Sequence, residues 1–373
     1  MGLIITEEQK MLKDSASELF AAKAPVSQMR HLRDNGYLPF DPELWEEMVA
    51  MGWTALTIPE DYNGLDFGYV GLGQILQESG KTLSKSPLIS SILLAASALK
   101  YSDNEMLKAK WLPELMNGTT QMTMAIDEKS YFDPKAINTT ATKSEEHYLL
   151  NGKKTFVIDG TTASQLIVVV KMEDSSMGLF LVDVAAEGIT VHKNILMDAG
   201  IYADVTFENV AVPAEQQLNV KVAGATIFKS VLEIAYVGLS AEMLGVTEQA
   251  FAMTIQYLKE RQQFGVLIGT YQALQHRAAK MFSEIELCKS IVLKALQAID
   301  TVDENRSKYA SLAKAKLGVT IKLVTNEAIQ MHGGIGVTDD ADIGFYMKRA
   351  RVLQQLFGDY NYHLDVVSQL KGY

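Results

Sequence analysis

The chain has 373 residues, 48% of them hydrophobic and 21% charged, which is enough for a large core and for two or three subdomains. Its net charge is −11 and it lacks a lysine or arginine run, which excludes nucleic acid and anionic membranes as expected partners. The single cysteine, Cys288, excludes a disulfide framework. The histidines show no metal-ligand spacing, so no metal is expected. With no signal peptide and no apolar run of roughly 18 to 20 residues, we expect a cytoplasmic protein.

The first third of the chain carries helix signals. Thr6-Glu-Glu-Gln9 is a capping box, and Asp41-Pro42-Glu43 combines a capping side chain, a proline in the first turn and an acid near the helix dipole. Residues 58–64 are rich in turn formers, and helical spacing resumes over residues 89–116. These patterns predict an N-terminal helical domain over residues 1–118.

Strand-like runs replace the helical pattern after residue 118. Two of them flank Asn151-Gly152, a pair typical of a hairpin turn. Further strands are predicted over residues 166–171, 178–183, 189–192 and 203–212. The sequence therefore predicts a central β domain over residues 119–220, a barrel or a sandwich.

Helical spacing returns at residue 221 and continues to the C-terminus. Three long helices are marked by apolar positions around Met243, Cys288 and Leu317. Long helices with short connections predict a C-terminal four-helix bundle over residues 221–373, in a chain of the α+β class.

A glycine-rich bend lies between two helical patterns at Gln330-Met-His-Gly-Gly-Ile-Gly-Val-Thr338. Such a bend lets backbone N–H groups approach a phosphate or the polar edge of a cofactor. Taken alone, it is more typical of a glycine that ends a helix.

A second motif lies upstream, at Glu260-Arg-Gln-Gln-Phe-Gly265 and Gly269-Thr-Tyr-Gln-Ala273. Together, Arg-x-x-Phe-Gly-x-x-x-Gly-x-x-Gln-Ala and the distal Gln-x-x-Gly-Gly-x-Gly resemble the C-terminal half of the acyl-CoA dehydrogenase flavoenzymes. Leu44-Trp45, Met51-Gly52-Trp53 and Glu78-Ser79-Gly80 resemble that family's first domain. The order of helical, β and helical regions is also that of the family.

The resemblance implies FAD as cofactor and α,β-dehydrogenation of an acyl-CoA thioester as the reaction. In the family, the adenosine and pyrophosphate end of each flavin is held by a neighbouring subunit. Arg261 would bind the pyrophosphate, since its fork of donors suits phosphate oxygens, and Phe264 would cover the adenosine. The remaining residues implied for this site are Gln272, Gln330, Gly333 and Gly334. Without the resemblance, Arg261 is simply an exposed cation at a helix end.

The segment that holds the flavin ring within a subunit departs from the family pattern. The family's Thr-Glu-Pro-Gly-x-Gly-Ser-Asp corresponds to a stretch in which only Glu128 and Asp133 are reminiscent. Asp127 stands where a threonine hydroxyl is usual, and a negative charge beside a ring that gains electrons is unfavourable. Ile158 replaces a second hydroxyl and lacks a hydrogen-bonding group.

The usual catalytic glutamate is also missing. Counting from Gln330 places Phe357 at its position and Gly358 at the glycine that follows. Asp359 is displaced by two residues. Some relatives place the glutamate on the first long C-terminal helix, but that position is Ala235, and the nearby Glu233 is about 200° away around the helix.

Three hypotheses follow from this pattern. The first is a non-catalytic small subunit that completes the FAD site of a catalytic acyl-CoA dehydrogenase subunit in an α2β2 heterotetramer, like bacterial complexes acting on steroid side chains or dicarboxylic acyl-CoAs. Its partners would include the acyl-CoA substrate and an electron-transfer flavoprotein or similar acceptor. The second is a self-sufficient homotetramer with Asp359 or Glu233 as a displaced base. The third is a structural relic that only assembles.

Overall fold

The structure is a computed structural model that describes residues 2–373. The α-helices are α1 Glu7–Lys23, α2 Val26–Asp34, α3 Pro42–Ala50, α4 Tyr69–Thr82, α5 Ser97–Tyr101, α6 Glu105–Met116, α7 Gly224–Glu260, α8 Gln272–Asp300, α9 Arg306–His332, α10 Ile343–Gln355 and α11 Tyr360–Lys371. The strands are β1 Met122–Ala125, β2 Thr140–Ser144, β3 His147–Ile158, β4 Gln165–Met172, β5 Met177–Asp183, β6 Ile189–Ile195, β7 Ile201–Pro213, β8 Gln262–Gln263 and β9 Val266–Leu267. The predicted α+β class is confirmed.

Two compact units share this chain. The first comprises residues 1–31, 69–84 and 236–373, and the second comprises residues 32–68 and 85–235. The predicted boundaries at residues 118 and 220 follow the change from helix to strand and back, and they remain predictions. No helix among residues 2–373 is both long and apolar enough to cross a membrane.

A seven-stranded sheet forms the centre of the second unit. Its order is β1-β4-β2-β3-β7-β6, with β5 paired to β4. β4 runs parallel to β1 and β2, and the other pairs are antiparallel. The apolar face of the sheet buries side chains such as Leu150, Val168, Phe180 and Phe207, each at most 1% exposed. This burial is the main favourable contribution to the unit's stability.

The hairpin predicted at Asn151-Gly152 is wrong. β3 continues straight through both residues, and the turn lies between β2 and β3, where Glu145 has a φ of 53°. Gly152 instead marks an irregularity in the register with β7. Its φ is 149°, and a Cβ there would lie 2.6 Å from Thr139 Cα, so the glycine serves a bulge and a close backbone approach.

The helical region predicted over residues 89–116 is interrupted. It consists of a π-helical segment, Leu88–Ala96, followed by α5 and α6. Two serines of the π-helical segment fasten it to the sheet region: Ser90 donates to Asp159 Oδ2 at 2.6 Å, and the Ser91 hydroxyl bonds both backbone groups of Met122 at 3.1 Å. A π-helix is rare and often accompanies a functional region.

In the first unit, α4 and α7 pack unusually closely. A Cβ at Gly80 would lie 2.3 Å from the Glu242 carbonyl oxygen, and one at Gly245 would lie 1.8 Å from the Gln77 carbonyl oxygen. The start of α4 is capped by Asp300, whose carboxylate accepts hydrogen bonds from the backbone of Tyr69 at 2.6 Å and Val70 at 2.9 Å. These two hydrogen bonds satisfy two of the backbone N–H groups that have no partner within the first turn of the helix.

The C-terminal helices pack around α9, which contacts α8, α10 and α11. Its buried face includes Ala313, Leu317, Ile321 and Val324, all 0% exposed. The helix starts predicted at Thr6 and Asp41 are confirmed, since both side chains accept a backbone N–H of the first turn.

We predict that Gly245→Ala destabilises the protein by about 3 kcal/mol or more, because the added methyl group has no room against the Gln77 backbone. The free energy of unfolding measured in urea tests this. Gly344→Ala is the matched control: it also lies in a helix, but its Cβ would meet its nearest neighbour at an ordinary 3.5 Å. Equal stability of the two variants would contradict the packing argument.

Candidate functional site

Residues 261–271, here called the arm, follow the end of α7. β8 and β9 pair within it, Gln262 with Leu267 and Gln263 with Val266. The turn between them holds Phe264 and Gly265 at φ of 54° and 82°. The ring of Phe264 is 92% exposed. An aromatic side chain held in a left-handed turn and left in water is typical of a binding surface.

The backbone of Arg261 is fixed while its side chain is available. Its N–H donates to Tyr257 O and its carbonyl accepts from Ile268 N, each at 2.9 Å. The side chain is exposed and forms no ion pair with any residue in the range 2–373. Gln272, the first residue of α8, is exposed as well. The side chains of Arg261, Phe264 and Gln272 therefore point to solvent rather than into this chain's own core.

The glycine bend follows α9 directly. Gly333 has a φ of 67° and ends the helix, and a short 3-10 turn covers Gly333–Val337. A Cβ at Gly333 or Gly334 would meet nothing within 4 Å, so both backbones face open space. Gln330 is exposed beside them. This geometry fits both predicted roles, a helix end and a backbone surface open to a ligand.

A stacked pair of rings joins the end of α7, directly before the arm, to the glycine bend. The rings of Tyr257 and His332 stack with centroids 4.4 Å apart, and the Tyr257 hydroxyl donates to the His332 carbonyl at 3.3 Å. Tyr257 lies one helical turn before Arg261, and His332 lies directly before Gly333. The structure therefore brings the two motifs to the same end of the first unit. Sequence reasoning missed both residues, although His332 lies inside the quoted motif.

His332 is suited to this position as a neutral side chain. Burial lowers the pKa of its imidazole, while a hydrogen bond from Nδ1 to the Ala328 carbonyl at 2.7 Å opposes the shift. Since a carbonyl only accepts, Nδ1 carries the proton and Nε2 is left as an acceptor.

Phe357, which the sequence places at the position of the usual catalytic carboxylate, is a buried ring, 4% exposed. The turn is unusual, with φ of 53° at Phe357 and 99° at Gly358. Lys314, 1% exposed, donates to Leu353 O at 2.9 Å and Gly358 O at 3.0 Å, which satisfies carbonyls at the end of α10. Burial lowers the pKa of Lys314 to about 7, and the Asp359 carboxylate opposes the shift.

An imidazole and two aromatic rings pack around the turn at Phe357. His363 is fully buried and donates from Nε2 to the Phe357 carbonyl at 3.0 Å. Its ring packs edge-on against Tyr236 at 4.6 Å and Tyr362 at 5.0 Å. Burial, reinforced by the Lys314 ammonium, lowers the pKa of His363 to about 3, so the imidazole is neutral at pH 7. The turn is held by cation, imidazole and aromatic groups, none of which is a carboxylate base.

The two alternative bases have other structural roles. Asp359 is the N-cap of α11, and its carboxylate accepts from Tyr362 N at 2.9 Å. Glu233 is 3% exposed and lies 3.7 Å from the Lys229 ammonium. Ala235 is fully buried.

The loop after β1 is occupied by its own ion pair. Lys154, 0% exposed, donates to Glu128 Oε1 at 2.7 Å and to Ile126 O at 3.1 Å. The same Glu128 carboxylate accepts the backbone N–H groups of Asn138 and Thr139 at 2.6 and 3.0 Å. The carboxylate that resembles a family residue is therefore committed to holding the loop.

Asp127, which the sequence places where the family has a threonine at the flavin ring, is a poor partner for such a ring. Burial raises the pKa of its carboxyl to about 7, although Lys154 opposes the shift. A carboxyl that titrates near neutrality, next to the apolar Ile126, offers no dependable donor to a ring that gains negative charge. The residues of the arm and the glycine bend fit the adenosine and pyrophosphate of FAD, whereas those of this loop do not fit its ring.

The buried imidazole predicts a pH dependence of stability. In the unfolded chain His363 takes up a proton below about pH 6.5, whereas the folded chain excludes it down to about pH 3. The unfolded state therefore binds more protons in this window, and stability falls as the pH falls. His363→Gln should flatten the slope by up to about 1.4 kcal/mol per pH unit.

Urea unfolding of both proteins between about pH 6.5 and pH 4 measures this difference. His276→Gln, at an exposed position on α8, is the control and should keep the wild-type slope. An unchanged slope in His363→Gln would mean that the buried imidazole is not neutral.

Models of three protein domains match nearly the whole chain. They are the acyl-CoA dehydrogenase N-terminal domain over residues 6–119, the middle domain over residues 123–210 and the C-terminal domain over residues 223–370. The matched ranges include the arm, the glycine bend and the Phe357 turn.

Individual relatives are distant but of similar length. The caffeyl-CoA reductase–Etf complex subunit CarC of Acetobacterium woodii is 25% identical over 360 residues, 94% of each chain. Among solved structures, the Tcur3481–Tcur3483 steroid ACAD variant is 28% identical with a TM-score of 0.89 over 98% of each chain. The ChsE4–ChsE5 complex of Mycobacterium tuberculosis shares the fold at 22% identity, with a TM-score of 0.92 over all of both chains. The chain belongs to the acyl-CoA dehydrogenase family of FAD-dependent oxidoreductases.

Proposed function

We propose that this chain is the non-catalytic partner subunit of a heteromeric acyl-CoA dehydrogenase. It completes the FAD site of a catalytic subunit in an α2β2 heterotetramer. The observation that carries the proposal is an asymmetry: the residues that serve a neighbour's flavin are kept and exposed, whereas those that serve its own flavin and substrate are replaced.

The residues kept for a neighbour's flavin serve to bind and position the adenosine and pyrophosphate of FAD. Arg261 would hold the pyrophosphate through a charge-assisted contact, and Phe264 would cover the adenosine with a ring that is otherwise in water. Gln272 and Gln330 add amide groups, and the open backbone at Gly333-Gly334 admits close approach. FAD held there would supply the hydride-accepting chemistry of the reaction, and the residues of this chain would bind and position it.

The replaced half explains why this chain does not itself catalyse. Proton abstraction next to a thioester requires a positioned base, and the base position holds Phe357. Asp359 is occupied as a helix cap, which disfavours the self-sufficient homotetramer. A partner subunit supplies the glutamate, and the acyl-CoA is processed there.

The relatives support an assembly of unlike chains. The Tcur3481–Tcur3483 protein is a steroid ACAD and carries two chain names, as does the ChsE4–ChsE5 complex. We infer an acyl-CoA with a steroid side chain or a dicarboxylic acyl group as substrate. An electron-transfer flavoprotein or a similar acceptor is the inferred oxidant of the reduced flavin, and CarC, a subunit of a complex with Etf, is consistent with this.

We predict that the chain purified alone is colourless, because it lacks the flavin-ring half of a site. Co-expressed with a catalytic acyl-CoA dehydrogenase encoded beside it, it should yield a yellow mixed tetramer with about one FAD per pair of chains. Absorbance at the flavin band and mass measurement of the native complex test this. A yellow homotetramer with one FAD per chain would overturn the proposal and make Asp359 and Glu233 the residues to substitute.

Within the mixed tetramer, Arg261→Ala should weaken FAD retention by about 10- to 100-fold, the effect of removing one charge-assisted contact. Arg261→Lys should recover part of it, because a lysine keeps the charge but loses the two-pronged geometry. Equilibrium dialysis of FAD against the purified complex gives the measurement.

Lys259→Ala is the matched control, since it removes an exposed cation two residues before Arg261 at the same helix end. Retention should be unchanged in that variant. If Arg261→Ala and Lys259→Ala both retain FAD like the wild type, the result would favour a chain that only assembles.

A further inference from the structure

Residues 338–342, here called the connector, join the glycine bend to α10. They begin directly after the 3-10 turn Gly333–Val337 and end where Ile343 starts the helix. Both the bend and the connector belong to the first unit. The position of the backbone that the bend offers to a ligand therefore depends on the connector as well as on α9.

Short contacts couple the connector to the bend. Thr338 donates both its backbone N–H and its hydroxyl to Ile335 O, at 3.1 and 2.7 Å. Gly344, in the first turn of α10, lies against the buried Gly336: a Cβ on Gly344 would be 3.5 Å from Gly336 O. Because these groups are in contact, a shift of the connector would also move the bend.

Arg30, a residue of α2, holds the connector from 312 positions away in the sequence. Its guanidinium donates from Nε and Nη2 to Asp342 Oδ1, at 3.0 and 2.7 Å, and its Nη1 lies 3.4 Å from Asp339 Oδ2. Its Cζ also lies 4.3 Å from the centre of the Phe345 ring. All three groups belong to the connector or to the first turn of α10, so one side chain meets this segment at three points.

Asp342 serves this contact instead of its own helix. It is the N-cap of α10, a position where an aspartate commonly accepts a backbone N–H of the first turn. Within residues 2–373, however, its carboxylate makes no capping bond of this kind. The carboxylate accepts from Arg30, whose planar fork of donors suits it. A long-range contact therefore replaces the local one at the start of α10.

Partial burial decides which of the contacts matters most. The side chain of Arg30 is 23% exposed, that of Asp342 39% and that of Asp339 56%. Single exposed pairs contribute little, because water and salt screen them, whereas a forked contact combined with a cation over an aromatic face is stronger. The contacts with Asp342 and Phe345 therefore dominate, and Asp339 adds little.

We propose that Arg30 is a positioning residue for the proposed FAD site: by holding the connector, it keeps the backbone at Gly333-Gly334 in the geometry that receives the cofactor. This inference rests on the proposed function, since it adds Arg30 to the same site. The role is indirect, because the guanidinium is engaged by the connector.

Hydrogen exchange on the chain alone tests whether Arg30 holds the connector. In Arg30→Met, the backbone amides of Thr338 and Phe345, both hydrogen-bonded in this region, should exchange about 10-fold faster, because the connector opens more often. Arg33→Met is the matched control: it removes an arginine from the same helix whose carboxylate partner is the adjacent Asp34, at 2.7 Å, and it should leave these amides unchanged. Wild-type exchange in Arg30→Met would overturn the inference.

Residues 313–324, in the buried middle of α9, are the internal reference for this experiment. Their exchange should be the same in the wild type and in Arg30→Met. Equal acceleration there would mean that Arg30 only stabilises the fold, which would also overturn the inference. Asp342→Ala removes the same contact from the other side and should reproduce the result of Arg30→Met.

Equilibrium dialysis of FAD against the mixed tetramer tests the effect on the cofactor. Arg30→Met should weaken FAD retention by about 10-fold, and Arg30→Lys should recover part of the loss, because lysine keeps a charge for Asp342. Arg261→Ala separates two ways of failing. If that variant loses FAD while Arg30→Met retains it like the wild type, this inference is wrong and the proposed function stands. If neither variant loses FAD, the proposed FAD site fails and this inference fails with it.

Discussion

The close approach of α4 and α7 is the constraint on which the arrangement of the first unit depends. Two backbones come so near at Gly80 and Gly245 that no side chain fits between them. Helices in van der Waals contact along their backbones have a fixed register, because sliding would bring larger side chains into the gap. At the same level, Glu242 of α7 pairs with Arg349 of α10 at 2.7 Å, which ties a third helix to α7. The position of the arm, which follows the end of α7, therefore depends on this contact.

A second theme is the use of buried, hydrogen-bonded polar groups to hold the turn at Phe357 and the loop after β1. Lys314 and His363 satisfy the carbonyls around the Phe357 turn, and Lys154 and Glu128 hold the loop after β1. Buried ions persist in proteins only when their hydrogen bonds are nearly complete, and those at both places are largely satisfied by backbone groups.

The sequence predicted the parts of this protein that depend on local chemistry. The capping box at Thr6 and the order of helical and β regions follow from short-range patterns with a physical cause, whereas the roles of Arg261 and Phe264 were implied only by the family resemblance. The pattern at Asn151-Gly152 was misleading, because the same pair serves a hairpin turn or a bulge and only the partner strand decides between them. Lys154 and Lys314 were invisible, since an isolated lysine in a strand or helix normally lies at the surface. The Tyr257–His332 stack joins residues 75 positions apart, and no single-sequence pattern encodes such a contact.

The ring of Phe264, 92% in water, bears on how a cell must handle this polypeptide. If a second protein covers the ring in the finished assembly, then any surplus of free chains displays it to chaperones and proteases, which recognise exposed apolar groups. The lifetime of an unassembled chain is then set by the supply of its companion. Coordinated synthesis of the two would limit wasteful turnover, and the exposed phenylalanine would act as a quality-control mark that disappears upon assembly.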